Sequence, residues 1–268
     1  MNKSSIPEKT QISIAIVLYN HSNDNVKRLI DNVHEQTESF ANVQLFFVNN
    51  SPQNVRLEKF LRKQEQQQNV IVLTPKTNQG FGMGNNMVLP YLKSDYHFIM
   101  NPDVEIPSGK QLEKMIGYMD QNNDCGLLAP LIKYPSGEIQ HLLKRESNVF
   151  DMALRFLNLP IMKQRQNKFV CLPDGYRTVH EAENVPGSFM VFRTKTFKQI
   201  KGFDDSYFLY MEDSDITMKT RQVSKVMFYP KAFVYHEWQR ENRKSWQGVQ
   251  QMLRSMFVYF NKWGWKMW

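Results

Sequence analysis

Three acidic residues stand close together in the aromatic stretch YFLYMEDSD, residues 207–215. A helix that begins near Glu212 would hold Glu212 and Asp213 in its first turn, where the helix dipole favours negative charge, and Asp215 would only cap or charge that turn. The aromatic residues ahead of them would also shield a carboxylate from water, raise its pKa and make it a useful base. The stretch therefore indicates either a charged helix start or a general base facing a substrate hydroxyl.

Two further residues, each at the end of an apolar run, are candidate metal ligands. In FIMNPDVEIP the run ends in Asn-Pro-Asp, which delivers Asp103 on a rigid turn. One carboxylate suits a divalent ion that is held mainly by substrate phosphates and water. The run VMFYPKAFVYH ends in His236, a candidate second ligand. The alternatives are a turn or capping acid and a structural histidine.

The first half of the chain has the pattern of a scaffold for such a site. Short apolar runs alternate with polar segments of helical periodicity, which indicates βαβ units and a mostly parallel sheet. Ligands bind open sheets of this kind at the carboxyl ends of the strands. The expected strands are 12–19, 43–48, 70–73 and 96–100, and the expected helices are 23–35, 54–66 and 82–93.

The second half is less regular. A length of 268 residues, no internal repeat and no convincing linker predict one large domain. The expected elements are a helix at 108–122, a loop-rich region at 133–183, a strand at 188–193, a helix at 212–222, a strand at 226–235 and an amphipathic helix at 244–263.

Asn, Gly and Asp residues follow all four expected strands of the first half. Each would ordinarily be read as a turn residue, but four such ends at one sheet edge favour a ligand site. The glycines of NQGFGMGNN have the wrong spacing and the wrong strand for a dinucleotide motif, although they would let a phosphate or sugar approach the backbone. The residues concerned are Asn20, Asn49, Asn50, Asn78, Gly80, Gly82, Asn86, Asn101 and Asp103.

The net charge of +8 is concentrated near the C-terminus. Residues 238–268 contain six Lys or Arg, one acid and all five tryptophans. A basic helix with aromatic residues is typical of docking on an anionic membrane surface, although it would equally pack on the domain as core. The same charge leaves a nucleic-acid-binding protein as an alternative, but no base-reading motif supports it.

Cys125 and Cys171 lie outside any disulfide or zinc pattern, which favours a reducing compartment. The apolar run ISIAIVLY, residues 12–19, is too short to span a bilayer and lacks a cleavage site, so we expect a buried strand in a cytoplasmic protein.

Together the motifs resemble the inverting family 2 glycosyltransferases of the GT-A fold, especially the bacterial rhamnosyltransferase-like branch that builds O-antigen, capsule and related polysaccharides. The matching segments are IAIVLYN, FVNNS, NQGFGMGNN, FIMNPDV, VPGSFMVFR, GFDDSYFLYMEDSDI and YPKAFVYH, between about residues 12 and 236. The resemblance implies a single α/β GT-A domain over residues 1–236. Its nucleotide-binding part is about 10–104, its acceptor part is about 105–236, and a C-terminal docking helix follows at 237–268.

The resemblance also implies roles for individual residues. Asp213 matches the general base, and Glu212 would orient the base or the acceptor. Asp103 and His236 would hold Mg²⁺ or Mn²⁺ and, through the ion, the donor diphosphate. The implied donor contacts are Tyr19, Asn20, Asn49, Asn50, Asn78, Gly80, Phe81, Gly82, Asn86, Asn101 and Asp103. The implied acceptor contacts are Gly187, Ser188, Tyr210 and Arg243, the last with the acceptor diphosphate.

The expected reaction is transfer of rhamnose from dTDP-rhamnose to a polyprenyl-diphosphate-linked saccharide, by a protein peripheral to the inner face of the cytoplasmic membrane. Asn49 stands where the family usually has Asp, and Asn101 replaces the first acid of the DXD-type motif. These two differences leave the identity of the nucleotide open. UDP-galactose and UDP-GlcNAc are alternative donors, and a nucleotidyltransferase on a similar sheet is an alternative enzyme. No nucleic acid partner is expected, and the sequence leaves the oligomeric state open.

Overall fold

The first half of the chain folds into four parallel strands with helices between them. The structure is a computed structural model, which describes residues 11–67, 69–156, 161–237 and 246–268. Strand β1 pairs in parallel with β2 and β4, and β2 pairs in parallel with β3. The elements are β1 (Gln11–Leu18), α1 (Asn23–Thr37), β2 (Asn42–Asn49), α2 (Val55–Gln64), β3 (Val70–Leu73), α3 (Gly80–Asn86), a 3-10 turn (Leu89–Tyr91) and β4 (Tyr96–Met100).

The second half extends the same sheet. Its elements are β5 (Val104–Glu105), α4 (Gly109–Gln121), β6 (Cys125–Lys133), α5 (Val149–Phe156), α6 (Lys163–Phe169), β7 (His180–Glu181), β8 (Phe189–Arg193), α7 (Thr194–Gln199), α8 (Glu212–Arg221), β9 (Lys225–His236) and α9 (Trp246–Trp263). The strand order is β3-β2-β1-β4-β8-β6-β9-β5, and β7 also pairs with β9. Strand β8 runs antiparallel to β4 and β6, whereas β6 and β9 are parallel. The sheet is thus parallel over its first four strands, as predicted, but mixed beyond them.

Several elements differ from the sequence expectation. Strand β6 was not expected, because Gly126 and Pro130 interrupt its apolar run; its pairing with β9 shifts register next to Pro130, as a proline inside a sheet requires. Helices α5 and α6 lie within the region expected to be loop. The helix expected at 82–93 is shorter, since α3 ends at Asn86 and is followed by the 3-10 turn.

Apolar side chains cover both faces of the sheet. One cluster includes Ile14, Phe47 and Phe98, and the other, on the opposite face, includes Phe46 and Phe192. Full burial of such a side chain contributes about 1.5–3 kcal/mol, so this two-sided core fixes the strand ends that carry the candidate site.

A third, smaller cluster joins α9 to the loop before α8. Tyr259 and Phe260 of α9 are buried against Tyr207 and Met211. Among the helices in the described part of the chain, none combines the length and apolar character needed to cross a membrane. One face of α9 therefore belongs to the protein core.

Candidate active site

A cleft of about 1200 Å³ opens at the carboxyl ends of the first strands. This is the place where open α/β sheets bind ligands. Of the residues predicted to contact a donor, Tyr19, Asn20, Phe81, Asn101 and Asp103 line the cleft. It is also lined by residues that we did not single out from the sequence, among them His21, Asn25, Arg28 and Asn32.

The predicted metal ligands meet in this region. Strand β5 runs antiparallel to the end of β9, so that Val104 lies opposite His236. This pairing brings Asp103 Oδ1 to 3.3 Å from His236 Nε2. The imidazole is buried, and the carboxylate is about a quarter exposed, at 27%. The sheet thus joins two candidate ligands that are far apart in sequence.

Gln140 fixes the tautomer of His236. The amide nitrogen of Gln140 donates to the His236 carbonyl oxygen across 2.6 Å, which leaves Gln140 Oε1 facing His236 Nδ1 at 2.9 Å. Because Oε1 accepts, Nδ1 carries the proton in this hydrogen-bond network. Nε2 then presents a lone pair to the Asp103 carboxylate. Because both atoms are acceptors, a proton or a metal ion between them is needed to make this approach favourable.

The Asp103 and His236 pair fits a divalent cation. Ligands at adjacent positions of an octahedral ion with bonds of about 2.1 Å lie about 3 Å apart, close to the observed separation. A ring N–H held by an amide oxygen is the usual support of a metal-bound histidine. The described residues contain no group of three His, Cys, Asp or Glu suited to a metal. Two protein ligands would leave the other positions to substrate oxygens and water.

His21 adds a second imidazole beside that of His236. Burial lowers the pKa of His21, and the nearby charge of Asp103 opposes that effect. Its Nδ1 accepts a hydrogen bond from the Tyr19 backbone across 3.0 Å. The ring is therefore a neutral part of the cleft wall at physiological pH.

The backbone bends sharply just before α8. Tyr210 and Met211 adopt φ angles of 70° and 66°, in the left-handed region that non-glycine residues rarely occupy. Ser255 of α9 donates to the Leu209 carbonyl across 2.8 Å, which supports this segment. Strained backbone held by its surroundings occurs often at functional sites. Here it turns the chain so that α8 begins at Glu212.

Glu212 and Asp213 share the first turn of α8, as predicted, but in different environments. Burial first, and the charge of Asp213 second, raise the pKa of Glu212 to about 8. Glu212 is therefore protonated at neutral pH, and the negative charge of the pair is on Asp213. Asp213 Oδ1 accepts from the Ser214 backbone across 2.8 Å, and Oδ2 lies 3.5 Å from Lys144 Nζ. Asp213 is the member suited to accept a proton.

Asp215 does not have the capping or surplus role considered from the sequence. It is fully buried and accepts from Trp263 Nε1 across 2.8 Å, while Lys262 Nζ lies 2.7 Å away. The Tyr207 hydroxyl lies 3.4 Å from the same oxygen. Asp215 therefore connects the helix that carries Asp213 to α9.

Six predicted donor contacts lie outside the cleft lining, and three of them are asparagines whose amides bond to other parts of the chain. The Asn49 amide donates to Glu58 across 2.8 Å, and its oxygen accepts from Ser51. Asn50 donates to the Gly80 carbonyl across 2.7 Å. Asn86 bonds both the N–H and the C=O of Phe203, each across 2.8 Å. Their amides are bonded within the chain, so in this structure they position loops.

The glycines of α3 allow close packing against a neighbouring loop. Gly80 has φ 75°, and a Cβ there would lie 1.9 Å from the Phe208 carbonyl oxygen. A Cβ at Gly82 would lie 2.9 Å from Phe203 Cβ. Asn78 accepts from the Gly80 backbone across 2.9 Å. The motif thus lets α3 pack closely against the loop 203–208, which precedes α8 and Asp213.

The predicted acceptor residues lie around Asp213 where the structure describes them. A Cβ at Gly187 would lie 3.4 Å from Asp213 Cβ and 3.5 Å from the Phe81 ring. Gly187 therefore lies between Asp213 and Phe81 of the cleft wall. Ser188 is buried, and its carbonyl accepts from Asn101 across 2.9 Å. Tyr210 is half-buried beside Glu212. Arg243 lies outside the described residues.

The geometry of this cleft agrees with the sequence comparisons. Residues 13–199, more than half of the chain, match the family model of Glycosyl transferase family 2. The chain belongs to glycosyl transferase family 2. The predicted family and enzyme class are thereby confirmed, and they are favoured over the nucleic-acid-binding and nucleotidyltransferase alternatives. The match ends before α8, so the family model does not include Glu212 and Asp213, and their roles remain a prediction.

Several curated relatives of this transferase are rhamnosyltransferases. Rhamnosyltransferase WbbL of Escherichia coli K12 is 27% identical over 189 residues, which are 67% of this chain and 69% of the relative. The N-acetylglucosaminyl-diphospho-decaprenol L-rhamnosyltransferase of Mycobacterium tuberculosis H37Rv is 23% identical over 190 residues, which are 63% of this chain and 59% of the relative. The chain thus spans about three fifths to two thirds of these relatives.

Solved structures confirm the GT-A fold of the transferase. GalNAc-T7, solved with UDP, GalNAc and Mn²⁺, matches 95% of this chain and 48% of its own, with a TM-score of 0.68 and 15% identity. The mannosyltransferase PcManGT of Pyrobaculum calidifontis, solved with GDP-Man and Mn²⁺, matches 96% of this chain and 66% of its own, with a TM-score of 0.65 and 12% identity.

Proposed function

We propose that this family 2 transferase moves rhamnose from dTDP-rhamnose to a saccharide linked through diphosphate to a polyprenol. The observation that carries the reaction type is the position of Asp213. Gly187 separates Asp213 from Phe81, and Phe81 lines the same cleft as Asp103. This arrangement supports a base and a diphosphate site that act on one bound donor. The rhamnosyltransferase relatives, one named for a diphospho-decaprenol substrate, support the choice of donor and acceptor.

On this proposal Asp103 and His236 hold Mg²⁺ or Mn²⁺, and Gln140 keeps the imidazole in the binding tautomer. The bound ion would neutralise the charge of the departing nucleoside diphosphate. The two solved transferases described above each contain Mn²⁺, which supports this class of ion. Tyr19, Asn20, Phe81 and Asn101 form the wall against which the nucleotide lies.

Asp213 acts as the general base. It accepts the proton of an acceptor hydroxyl while that oxygen attacks the anomeric carbon and the bond to the diphosphate breaks. On this proposal the base and the leaving group lie on opposite sides of the sugar, so the configuration inverts and no covalent enzyme intermediate forms. Glu212 is neutral beside Asp213, so it does not compete for the proton and is able to donate a hydrogen bond to the acceptor or to the base.

Helix α9 is the proposed membrane-docking element of residues 237–268. Its inner face is buried on the catalytic domain, but its outer side and the residues after it expose large apolar side chains. Arg254 and Lys266 are exposed in the same segment. A surface with these properties docks on anionic lipid, and the lipid-linked acceptor would be reached there, on the cytoplasmic face. The exposed side chains are Trp246, Leu253, Phe257, Trp265, Met267 and Trp268.

A donor screen tests this function. Purified protein is incubated with dTDP-rhamnose, UDP-galactose or UDP-GlcNAc and with GlcNAc-diphospho-alkyl acceptor, and glycosylated product is measured by mass spectrometry. We expect product from dTDP-rhamnose, loss of activity with EDTA and recovery with excess Mn²⁺ or Mg²⁺. Product formed only from a UDP-sugar would mean that this nucleotide sugar, and not dTDP-rhamnose, is the donor. No product from any donor would contradict the proposed reaction.

A further inference from the structure

We infer that a second pocket, on the far side of Asp213 from the donor cleft, binds a neutral sugar ring of the acceptor. This inference rests on the proposed function and names the part of the site that takes the acceptor saccharide. The pocket has a volume of about 320 Å³, at the small end of the range for ligand sites. It is formed by residues 143–145, 171–175 and 180–184.

Lys144 connects this second pocket to the base. Its side chain lines the pocket, and its Nζ lies 3.5 Å from Asp213 Oδ2. On the other side, Gly187 separates Asp213 from Phe81, which lines the donor cleft. Asp213 therefore lies beside one residue of the second pocket, Lys144, and is separated by Gly187 from one residue of the cleft, Phe81. On this inference a molecule in the second pocket presents a hydroxyl to Asp213 while the nucleotide sugar fills the cleft.

Asn184 supplies a hydrogen-bonding group in the wall of the pocket. It is 3% exposed, and within the described residues its Oδ1 has no hydrogen-bond partner. Its amide nitrogen donates to Ser214 Oγ across 2.8 Å, and that hydroxyl lies 3.3 Å from Asp213 Oδ1. A buried amide oxygen without a partner is costly, so the wall of the pocket contains an unsatisfied acceptor behind its surface. Asn184 thus connects the wall of the pocket to the base through one serine.

The charges of the pocket favour a neutral sugar over a diphosphate. Asp174, Glu181 and Glu183 oppose Lys144 and Arg145, which gives an excess of negative charge. Carboxylates accept hydrogen bonds from sugar hydroxyls but repel phosphate oxygens. The diphosphate of a lipid-linked acceptor would therefore lie outside this pocket while the sugar lies within it.

Cys171 offers a test that does not depend on turnover. It is half-buried in the pocket wall, whereas Cys125, the only other cysteine, is fully buried in β6. Burial first, and the charge of Glu183 second, raise the pKa of the Cys171 thiol, so labelling with N-ethylmaleimide is followed at pH 8.5 to 9 by intact-mass spectrometry. The Cys171→Ser variant identifies the labelled site.

GlcNAc-diphospho-alkyl, at a concentration that saturates turnover, is expected to slow labelling of Cys171 at least fivefold. Alkyl diphosphate without the sugar is expected to leave the rate unchanged. Equal labelling with and without the sugar-bearing compound would overturn the pocket assignment even if the enzyme is active. An inactive wild-type enzyme would instead overturn the proposed function, so the two failures are distinguishable.

The Lys144→Met variant tests the same pocket kinetically, with the exposed Lys195→Met as its matched control. We expect the acceptor KM to rise at least tenfold in Lys144→Met and the donor KM to stay within twofold of wild type. A fall in kcat with an unchanged acceptor KM would mean that Lys144 only adjusts Asp213, and it would overturn the inference. The labelling experiment uses the wild-type protein and is unaffected by the folding of either variant.

Discussion

Trp263 of α9 donates its indole N–H to Asp215 of α8 across 2.8 Å, two residues beyond the proposed base. Lys262 Nζ lies 2.7 Å from the same buried carboxylate and 2.5 Å from Asp204. The C-terminal helix is thus bonded directly to the helix that carries Asp213. A substitution that breaks these bonds is therefore expected to disturb the position of Asp213.

Replacing Trp263 by Phe should weaken both folding and catalysis. The variant keeps an aromatic ring but removes a donor to a buried carboxylate, which costs about 1–3 kcal/mol of unfolding free energy. We expect kcat to fall while the donor KM is unchanged, because the cleft residues are untouched. Denaturant unfolding and steady-state kinetics measure the two effects. Trp265→Phe, which loses an exposed bond to Asn261, is the control, and equal effects in both variants would contradict this role.

Replacing Gln140 by Leu should weaken metal binding. The substitution removes the acceptor that holds His236 Nδ1–H, and loss of such support typically lowers metal affinity about 10–100-fold. The measurement is the Mn²⁺ concentration that gives half-maximal activity. Gln111→Leu is the matched control, since this buried glutamine bonds to Phe233 of the same strand. A similar shift in both variants would show that Gln140 supports the strand and not the metal site.

Glu212 should make the protein less stable as the pH rises. Its pKa is raised from 4.5 to about 8 on folding, so between these values the folded state holds a proton that the unfolded state has lost. The free energy of unfolding therefore falls across this interval, and the contribution of Glu212 is constant above it. Glu212→Gln cannot titrate, so its stability relative to wild type should increase from pH 5 to pH 8. Denaturant unfolding of both proteins at several pH values measures this, and a constant difference would contradict the buried, protonated state.

Replacing Phe257 by Ser should reduce binding to anionic vesicles. Phe257 is 57% exposed on α9 and packs edge-on against Trp265. Burial of a phenyl ring in lipid contributes about 1.5–3 kcal/mol, so co-sedimentation with phosphatidylglycerol vesicles should weaken about tenfold or more. Tyr91→Ser removes an exposed aromatic residue elsewhere and should have no effect. Unchanged binding of the Phe257 variant would exclude this face from docking.

The strands, the helix at Glu212 and the residues at the strand ends were predictable because each depends on local pattern. Alternating apolar runs specify βαβ units, and Asn-Pro-Asp specifies a turn, wherever the rest of the chain lies. Strand β6 was missed because Gly126 and Pro130 obscure its pattern, although both its neighbours in the sheet are strands that the sequence did reveal.

The contacts that refine the site were not predictable, because they join distant parts of the chain. Asn86, a predicted donor contact, bonds to Phe203, 117 residues away, and no sequence pattern indicates this pairing. Gln140 and Lys144 lie in a stretch without a regular pattern, so nothing in the sequence connects them to His236 and Asp213. An asparagine side chain has the same chemistry whether it faces a nucleotide or a loop, and only the fold decides between them.

The Asp213→Asn variant tests the central claim most directly. Loss of a general base typically lowers the rate about 10²–10⁴-fold, and the amide keeps the shape of the side chain. We predict this loss in acceptor-dependent release of nucleoside diphosphate from dTDP-rhamnose, with donor binding by calorimetry unchanged and with exposed Asp205→Asn as active as wild type. An Asp213→Asn rate within a few-fold of wild type would contradict the account.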